Sequence, residues 1–442
     1  MPIAPGIALG RDGPAQNLWY IVRMPTANPF RTLVRHRNFR LFWFGQTLSL
    51  IGTWMQTMAM GWLALQLTNS PFLVGLVASA ISWPVVGFSF FAGVLVDRGD
   101  RLRLVKLGQA LLLVQAAVLW WIAWSGNATI WWLVVLSFAN GLINTLEIPA
   151  RQSLMVELVG REDLGDAIAL NSSGFNLARI VGPAIGAVAI ARLGMSWCFG
   201  LNALSYVAVL IGLYMMRVPE WQPTAIARSS WASALDGVRY VRDTKVVAAM
   251  MKVVLVYSVL GIPFLTLMPV VARDRLHMGA GGYGLLLACV GVGGLGGALW
   301  LAAVGGQRPR GRLWEQSTRA FALLLIVFGL VPNAILAYSS LLVVGFAMIV
   351  SGALANSILQ TIVPDEMRGR LMAAYSFVAV GLSQAVGSLI GGTVAEHFGD
   401  QWAIAGTAAI ILAYTMWAFR KSPELRDPEA DVNVHPMAAA RG

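Results

Sequence analysis

The amino-acid sequence predicts an all-α membrane protein of twelve transmembrane helices in two six-helix pseudo-repeats. Three observations predict it: a composition too apolar for a water-facing surface, charge-free runs one or two bilayer crossings long, and glycines that recur at nearly half the chain length. Of 442 residues, 57% are hydrophobic and 12% charged, whereas a soluble domain carries roughly 25% charged residues. Residues 41–96, 107–146, 320–364 and 371–395 hold no Asp, Glu, Lys or Arg. About 20 apolar residues cross a bilayer as a helix, so each of the first three runs has to fold back once. Turn-forming residues stand where this must happen: Thr68-Asn69-Ser70-Pro71, Ser125-Gly126-Asn127 and Val331-Pro332-Asn333.

In chain order, helices are predicted near 40–67, 72–96, 104–125, 130–156, 165–191 and 195–217, then near 246–272, 281–305, 316–336, 338–362, 368–395 and 400–420. The chain thus divides into an N-terminal segment 1–38, a first bundle 39–217, a linker 218–245, a second bundle 246–420 and a tail 421–442. No segment alternates as a barrel strand would, and backbone polar groups in lipid must then be satisfied within helices. A shift of 205 residues lays Gly182, Gly186 and Gly194 on Gly387, Gly391 and Gly399, and a shift of 209 lays Gly75 and Gly87 on Gly284 and Gly296. The fifth helix is therefore the counterpart of the eleventh, and the second of the eighth. In the linker, Trp231, Leu235, Val238 and Val241 recur at helical spacing opposite Arg239 and Arg242, the pattern of an amphipathic helix lying on the membrane surface.

Charge sets the orientation. The net charge is +11, and all but six of the 32 Lys and Arg residues fall on the face shared by the chain ends and every second loop. Arg192, Arg273 and Arg275 lie on the other face, and Arg179, Lys252 and Arg319 lie within spans. Basic loops stay inside, which predicts a multi-pass inner-membrane protein with both ends cytoplasmic and its basic face against anionic lipid. The basic residues are dispersed through short loops and form no stripe, so nucleic acid is not an expected partner. No removable signal peptide is read before Phe39. Cys198 and Cys289 sit in apolar spans as core residues. His36, His277 and His397 near loops and His435 in the tail suggest no metal site, and no cofactor is expected. With no nucleophile and base pair or phosphate loop, the sequence argues against an enzyme and for a gradient-driven process in a single chain.

The chemistry is expected where polar side chains interrupt apolar helices, because an ionisable group at the bilayer centre costs about 2.5 to 3.5 kcal/mol on insertion scales. Ser172, Asn176 and Arg179 follow at i, i+4 and i+7 of the fifth helix and form one stripe. Arg179 is the candidate to hold an anionic or catechol-like group, or to fix a carboxylate; Gln384 stands at the matching position of the second half, so the positive charge is on one side only. The fourth helix carries Asn140, Asn144, Glu147 and Arg151 on one face. Burial would fit Glu147 to carry a proton, whereas Arg151 at i+4 would keep it ionised and structural, and Pro149 between them permits either. Gln46 and Gln56 in the first helix, and Asn356 and Gln360 in the tenth, are further candidates to line a cavity or to bond between helices. Asp365 and Glu366, ahead of Arg368 and Arg370, read as a cap for the eleventh helix.

The second-to-third loop reads Gly93-Val-Leu95-Val-Asp97-Arg98-Gly-Asp100-Arg101-Leu-Arg103. With the six-plus-six architecture, this G-x-L-x-D-R-x-x-R pattern resembles the signature of the major facilitator superfamily. The resemblance implies that Gly93, Asp97, Arg98, Arg101 and Arg103 form a conformational gate that latches the outward-facing state. The eighth-to-ninth loop keeps Arg310 and Arg312 but has Gly306 where Asp97 would fall, which puts a second latch in doubt. Phe39-Arg40-Leu41-Phe42-Trp43, Ser49-Leu50-Ile51-Gly52-Thr53-Trp54-Met55 and Pro149-Ala150-Arg151-Gln152 are similar to the branch of enterobactin exporters and transmembrane secretion effectors. Gly174, Ala178 and Gly182-Pro183-Ala184-Ile185-Gly186 resemble the fifth-helix motif of proton-coupled antiporters, with Ala187 where a second glycine is usual. These likenesses imply proton-coupled export of a siderophore, drug or similar small amphiphile by alternating access. A lysophospholipid translocase and a non-transporting membrane sensor are the alternatives.

Overall fold

The computed structural model describes residues 30–160, 162–217, 237, 239–304 and 309–429, with backbone alone for Phe90 and Asp97. Trp231, Leu235, Val238 and Gly306 lie outside the described residues; of the linker helix, residues 239–243 are described and helical.

A short helix, Phe30–Arg35, leads into the first half: α1 (Arg37–Thr68), α2 (Pro71–Ala80 and Trp83–Arg98), α3 (Arg101–Trp124), α4 (Ile130–Val159), α5 (Leu164–Leu193) and α6 (Ser196–Tyr214). The second half holds α7 (Lys245–Gly261 and Phe264–Val270, continued by a π turn Val271–Arg275), α8 (Ala280–Val304), α9 (Arg310–Leu330) and α10 (Ala334–Ile362). It closes with α11 (Asp365–Ser376, a π stretch Phe377–Gly387, then Ser388–Phe398) and α12 (Asp400–Lys421). Eleven of these spans are long and apolar enough to cross a membrane. The remaining long helix, α1, is diluted by Gln46, Gln56, Gln66 and several threonines, most of which turn inward in the first half.

Local chemistry sets the ends. Asn69 closes α1 in the left-handed conformation at φ 51°, and Ser70 accepts from the Leu73 N–H at 3.2 Å ahead of Pro71 at the start of α2. Asn333 caps α10 by accepting from the Ile335 N–H at 2.8 Å. Gly194 (φ 96°) and Gly399 (φ 86°) end α5 and α11 in a backbone region that favours glycine, as their matched positions in the repeat predict. The helix α9 starts six residues before the predicted 316: Arg310 and Arg312, read as loop, are its first turn. Breaks inside α2 at Ile81 and Ser82, before Pro84, and inside α7 at Ile262 and Pro263, were not expected; proline removes a backbone donor at each.

The two halves meet through a pseudo-twofold pair of crossings. In α2, a Cβ on Gly75 would strike the Ser388 carbonyl of α11 and stand 3.3 Å from the Gly392 Cα. In α8, a Cβ on Gly284 would stand 2.8 Å from both the Pro183 carbonyl and the Ala187 Cβ of α5. Pro183 and Ala187 are the repeat counterparts of Ser388 and Gly392, so one contact is made twice. Bare glycine lets the helices approach backbone to backbone, where packing replaces a hydrophobic driving force that lipid does not supply. Around these crossings, Met58 and Trp62 of α1 share a core with Tyr257, Phe264, Leu267, Tyr283 and Phe321 of the second half.

Beyond α12 the chain folds back as a 3₁₀ turn, Pro423–Arg426. Leu425 is fully buried there, its carbonyl over Gly311 of α9. Arg426 pairs with Glu315 of α9 at 2.8 Å, and Arg319 pairs with the same carboxylate from one turn on.

Gly75→Ala and Gly284→Ala are each expected to lower the thermal midpoint of the detergent-solubilised protein, since overpacking against backbone costs about 1 to 3 kcal/mol. Gly93→Ala, with nothing within 4 Å of the new methyl, should leave the midpoint level or raise it, because alanine is the better helix former. Equal responses at all three positions would contradict the crossing geometry.

Candidate functional site

Successive helices run in opposite directions, so the chain ends and the α2–α3, α4–α5, α8–α9 and α10–α11 loops share one face, the basic one. The opposite face is poor in basic residues. On this opposite side the halves are sealed. Trp62 of α1 stacks on Tyr283 of α8 with ring centroids 5.8 Å apart and planes at 19°. Arg273, at the end of α7, donates to the Leu65 carbonyl at 3.1 Å and to Asn69 Oδ1 at 2.7 Å, which places a cation on the carboxyl end of α1. Glu396, at the end of α11, accepts from Ser70 Oγ at 2.8 Å and from the Phe72 N–H at 3.1 Å, which places an anion on the amino end of α2. Both charges suit the helix dipole they meet.

Towards the basic face the halves part. The α5–α8 contacts run from Ala187 and Gly284 through Ile180 and Gly291 to Arg179 and Gly294. The α2–α11 contact reaches Val86 and Gly381; beyond it Gly87 and Gly93 have nothing within 4 Å, and Leu95 and Phe377 are exposed. The ion pairs on this face hold each half to itself: Arg35 with Asp163, Arg101 with Glu157, and Arg368 with Asp365. The result is a cleft open to the basic face and closed opposite.

Arg179 stands at the inner end of that cleft. Its guanidinium donates to Asn176 Oδ1 at 3.2 Å, and Nη2 lies 2.7 Å from where a Cβ on Gly294 would be, so α8 must be bare there to admit it. Its Nε is buried and has no acceptor among the described residues. A buried donor without a partner costs on the order of 1 to 3 kcal/mol, a cost removed by any acceptor entering the cleft. Asn176 bonds back to the Ser172 carbonyl at 2.9 Å, so the three residues of the α5 stripe form one chain of contacts.

The α4 stripe divides. Glu147 is 2% exposed and accepts from Gln109 Nε2 of α3 at 2.8 Å and from Arg151 Nε at 3.1 Å. The paired arrangement that the i, i+4 spacing allowed is the one present, with a third partner added. Gly108 makes the room: a Cβ on it would lie 2.9 Å from Glu147 Cγ. Asn144 donates to Asn140 Oδ1 at 2.7 Å. Asn140 belongs with Gln56 to an amide cluster inside the first half, in which Asn202 of α6 donates to Gln56 Oε1 at 2.8 Å and Gln56 to Gln115 Oε1 at 3.3 Å. Asn140 in turn donates to Gln115 at 3.4 Å. The structure thus places Gln56 and Asn140 between helices of one bundle and away from the cleft. Gln46 is also buried, and its Oε1 has no protein donor.

In the second half, Gln360 donates to Asn356 Oδ1 on α10, Arg368 donates to the Gln360 carbonyl at 3.0 Å, and Gln384 lies in the π stretch of α11, half-buried. In the loop motif, Asp100 caps α3 by accepting from the Arg103 N–H at 3.1 Å, Arg101 pairs with Glu157 of α4, Arg103 pairs with Asp100 at 3.0 Å and Arg98 is exposed. The Asp97 side chain is outside the described atoms. The antiporter-like glycines face α1: Gly174 packs on Thr47, Gly182 on Ile51 and Trp54, and Gly186 on Met55 and Met58. Pro183 of that motif presents its carbonyl to Gly284 of the other half. Asp365 sits in the first turn of α11, and the capping position is Pro364. Among the described residues no three His, Cys, Asp or Glu side chains gather as a metal would require.

Gln109, Gln115, Asn202, Glu315, Arg273, Tyr283 and Glu396 were missed in the sequence. The polar residues of α3 and α6 could have been found as interruptions of apolar runs, and Glu315 by starting α9 earlier.

A family profile described as transmembrane secretion effector matches residues 27–438. An enterobactin exporter, EntS, of Shigella flexneri is 25% identical over 400 residues, covering 88% of this chain and 95% of its own. The EntS of Escherichia coli O1:K1 is likewise 25% identical over 402 residues. Among solved structures, a bacterial homologue of the human lysosomal transporter Spinster superposes with a TM-score of 0.72 at 12% identity, over 91% of this chain and 99% of that one. The nucleoside transporter NupG gives 0.71 at 13% identity, over 87% and 98%; at such identities both speak for the fold alone. Twelve helices in two pseudo-repeats, a cleft between them and this match over nearly the whole chain identify a multi-pass membrane transporter, and no enzyme, that belongs to the transmembrane secretion effector family of the major facilitator superfamily.

Proposed function

We propose that the protein is a proton-coupled exporter of a small acidic or catechol-bearing amphiphile, of which a siderophore is the best match, working by alternating access in the inner membrane. The observation that carries this reading is Arg179: a charged side chain midway along a membrane helix, at the closed end of the cleft, with a buried N–H that has no acceptor among the described residues. An anionic or phenolic oxygen would complete it by a charge-assisted hydrogen bond. The positive-inside rule makes the basic face cytoplasmic, so the cleft takes its cargo from the cell interior. The enterobactin exporters at 25% identity support export and the siderophore class.

Glu147 is the proposed proton carrier. It lies in the middle of α4, fixed between Gln109 and Arg151. Protonation would weaken its hold on Arg151 and free that guanidinium, so proton binding and side-chain release are one event. The clamps at Arg273 and Glu396 close the external side in the state described, and their opening completes the cycle. A single chain supplies every group named.

Arg179→Ala should lower export about ten- to a hundredfold at normal surface expression, the range expected for losing a hydrogen bond to a charged group; Arg179→Lys should recover part of it. Unchanged export would remove Arg179 from the cargo site. In inverted vesicles, Glu147→Gln should bind cargo but lose the response of transport to an imposed pH gradient; a response of wild-type size would move the coupling elsewhere. With Cys198 and Cys289 replaced by Ala, Met58→Cys, buried in this closed state, should react slowly with an impermeant maleimide added outside. Adding Arg273→Ala and Glu396→Gln should speed labelling several-fold, and equal rates would show that the clamps do not hold the external side shut.

A further inference from the structure

Where α1 begins and α6 ends, a pocket of about 400 Å³ opens on the basic face, lined by Arg35, His36, Arg37, Asn38, Leu158 and Arg217. Three arginines from two separate stretches of chain converge on it. Arg35 and His36 share the carboxylate of Asp163, at 3.1 and 2.7 Å. The His36 hydrogen bond holds the Asp163 carboxyl below the usual carboxylate range, opposed by partial burial and aided by Arg35. That carboxylate is thereby committed, and the other two arginines have no acid partner among the described residues. Arg37 donates one N–H to the Met215 carbonyl at 3.2 Å. Arg217 is held through its backbone, its carbonyl accepting from Asn38 Nδ2 at 2.9 Å and its N–H donating to Asn38 Oδ1 at 3.3 Å. Its guanidinium bonds to none of the described residues.

Exposed apolar side chains stand next to the pocket residues in sequence: Val34, before Arg35, is 79% exposed, and Tyr214, three residues before Arg217, is 70% exposed with Lys106 Nζ 4.5 Å from its ring centroid. The pocket lies where two membrane helices end on the basic face. Guanidinium forks without an acid partner among the described residues, beside exposed apolar side chains at the end of a membrane helix, match the two parts of a lipid: a phosphodiester above and chains below. A soluble anion would use the arginines and leave the exposed apolar side chains unexplained.

We infer that this pocket binds the phosphodiester headgroup of an anionic phospholipid of the inner leaflet, with Arg37 and Arg217 as its principal ligands and the chains lying against Val34 and Tyr214. The inference concerns binding alone and stands whether or not Arg179 and Glu147 act as proposed above.

The test is native mass spectrometry of the full chain, delipidated in detergent and titrated with dioleoylphosphatidylglycerol, dioleoylphosphatidylcholine or inorganic phosphate. The wild-type chain should retain phosphatidylglycerol in preference to phosphatidylcholine, and an excess of inorganic phosphate should leave it bound. Each arginine near the membrane surface is worth about a fivefold change in binding, so Arg37→Ala with Arg217→Ala should weaken retention roughly 25-fold. Arg312→Ala with Lys245→Ala, which removes the same charge elsewhere on that face, should not. Should the double variant fail to fold, Arg217→Ala alone, about fivefold weaker, carries the test. Wild-type retention by the arginine variants, an equal loss in the control pair, or displacement of the lipid by phosphate would each overturn the assignment.

Discussion

The backbone-to-backbone contact of α2 with α11 and of α5 with α8 is the constraint on which the remaining structure depends. Lipid offers no solvophobic reward for bringing two helices together, so the halves of a membrane bundle cohere only where surfaces fit closely. Gly75 and Gly284 supply that fit in duplicate, each against the repeat counterpart of the other's partner. Because both crossings lie away from the basic face, the same contacts that hold the halves together also let them diverge. The cleft, the depth of Arg179 within it and the access of cargo all follow from where those glycines stand. A methyl at either position would separate the helices at the pivot itself.

The two halves share a fold but not a chemistry. In the first, Gln56, Gln115, Asn140, Asn202, Gln109, Glu147 and Arg151 run through the interior. In the second, the buried polar contacts of the corresponding region are hydroxyls: Thr318 with Ser351 at 2.7 Å, Thr266 with Ser388 at 3.0 Å, and Ser383 to the Ser258 carbonyl at 2.7 Å. Hydroxyls tie helices together and carry no charge that a proton could change near neutrality. The amide and carboxylate network can rearrange when one member changes its proton. The chemistry proposed above uses groups of the first half, and the second half contributes Gly294 as the recess that receives Arg179. The charged pairs of the second half lie elsewhere: Glu315 of α9 holds Arg426 of the segment after α12, together with Arg319 of α9 itself, and Arg275 pairs with Asp400 between the ends of α7 and α12.

How much of this could be read from residues alone depends on the kind of signal each feature leaves. Helices were legible because charge-free length is written directly in sequence, and their ends because Asn69, Ser70, Asn333, Gly194 and Gly399 have local jobs that only a few residue types perform. The start of α9 was not, since Arg310 and Arg312 look like loop although their side chains reach out of the membrane from a helical turn. Repeated glycines revealed the pseudo-symmetry but not which neighbour each faces: Gly182 and Gly186 serve α1, a distinction set by rotation about the helix axis. The stripes of Arg179 and Glu147 were visible as polar interruptions. Gln109 and Gly108 escaped because their meaning is a contact across helices, one supplying a donor and the other a space. The π stretch in α11 leaves no residue signature, as its hydrogen-bond shift is a backbone property.

The two faces of the molecule close by different physics, and the difference bears on how a gradient could drive it. On the face opposite the basic one Arg273 and Glu396 bind helix ends, not each other: Arg273 meets the Leu65 carbonyl and Asn69 Oδ1 while also pairing with Asp274, and Glu396 meets Ser70 Oγ and the Phe72 N–H. On the basic face the arginines of the second-to-third loop meet carboxylates, and Asp100 and Glu157 hold Arg103 and Arg101 inside the first half in the parted state. Closing that side through the same residues would trade those pairs for contacts across the cleft. Moving a two-state equilibrium from one extreme to the other takes about 5.5 kcal/mol of differential binding. Neither a charge at a helix end, worth about 0.3 to 2 kcal/mol, nor one hydrogen bond to Arg179 reaches that figure alone. Cargo at Arg179 and a proton at Glu147 acting on the same pivot would approach it together, and that is the physical reason the proposed cycle needs both ligands.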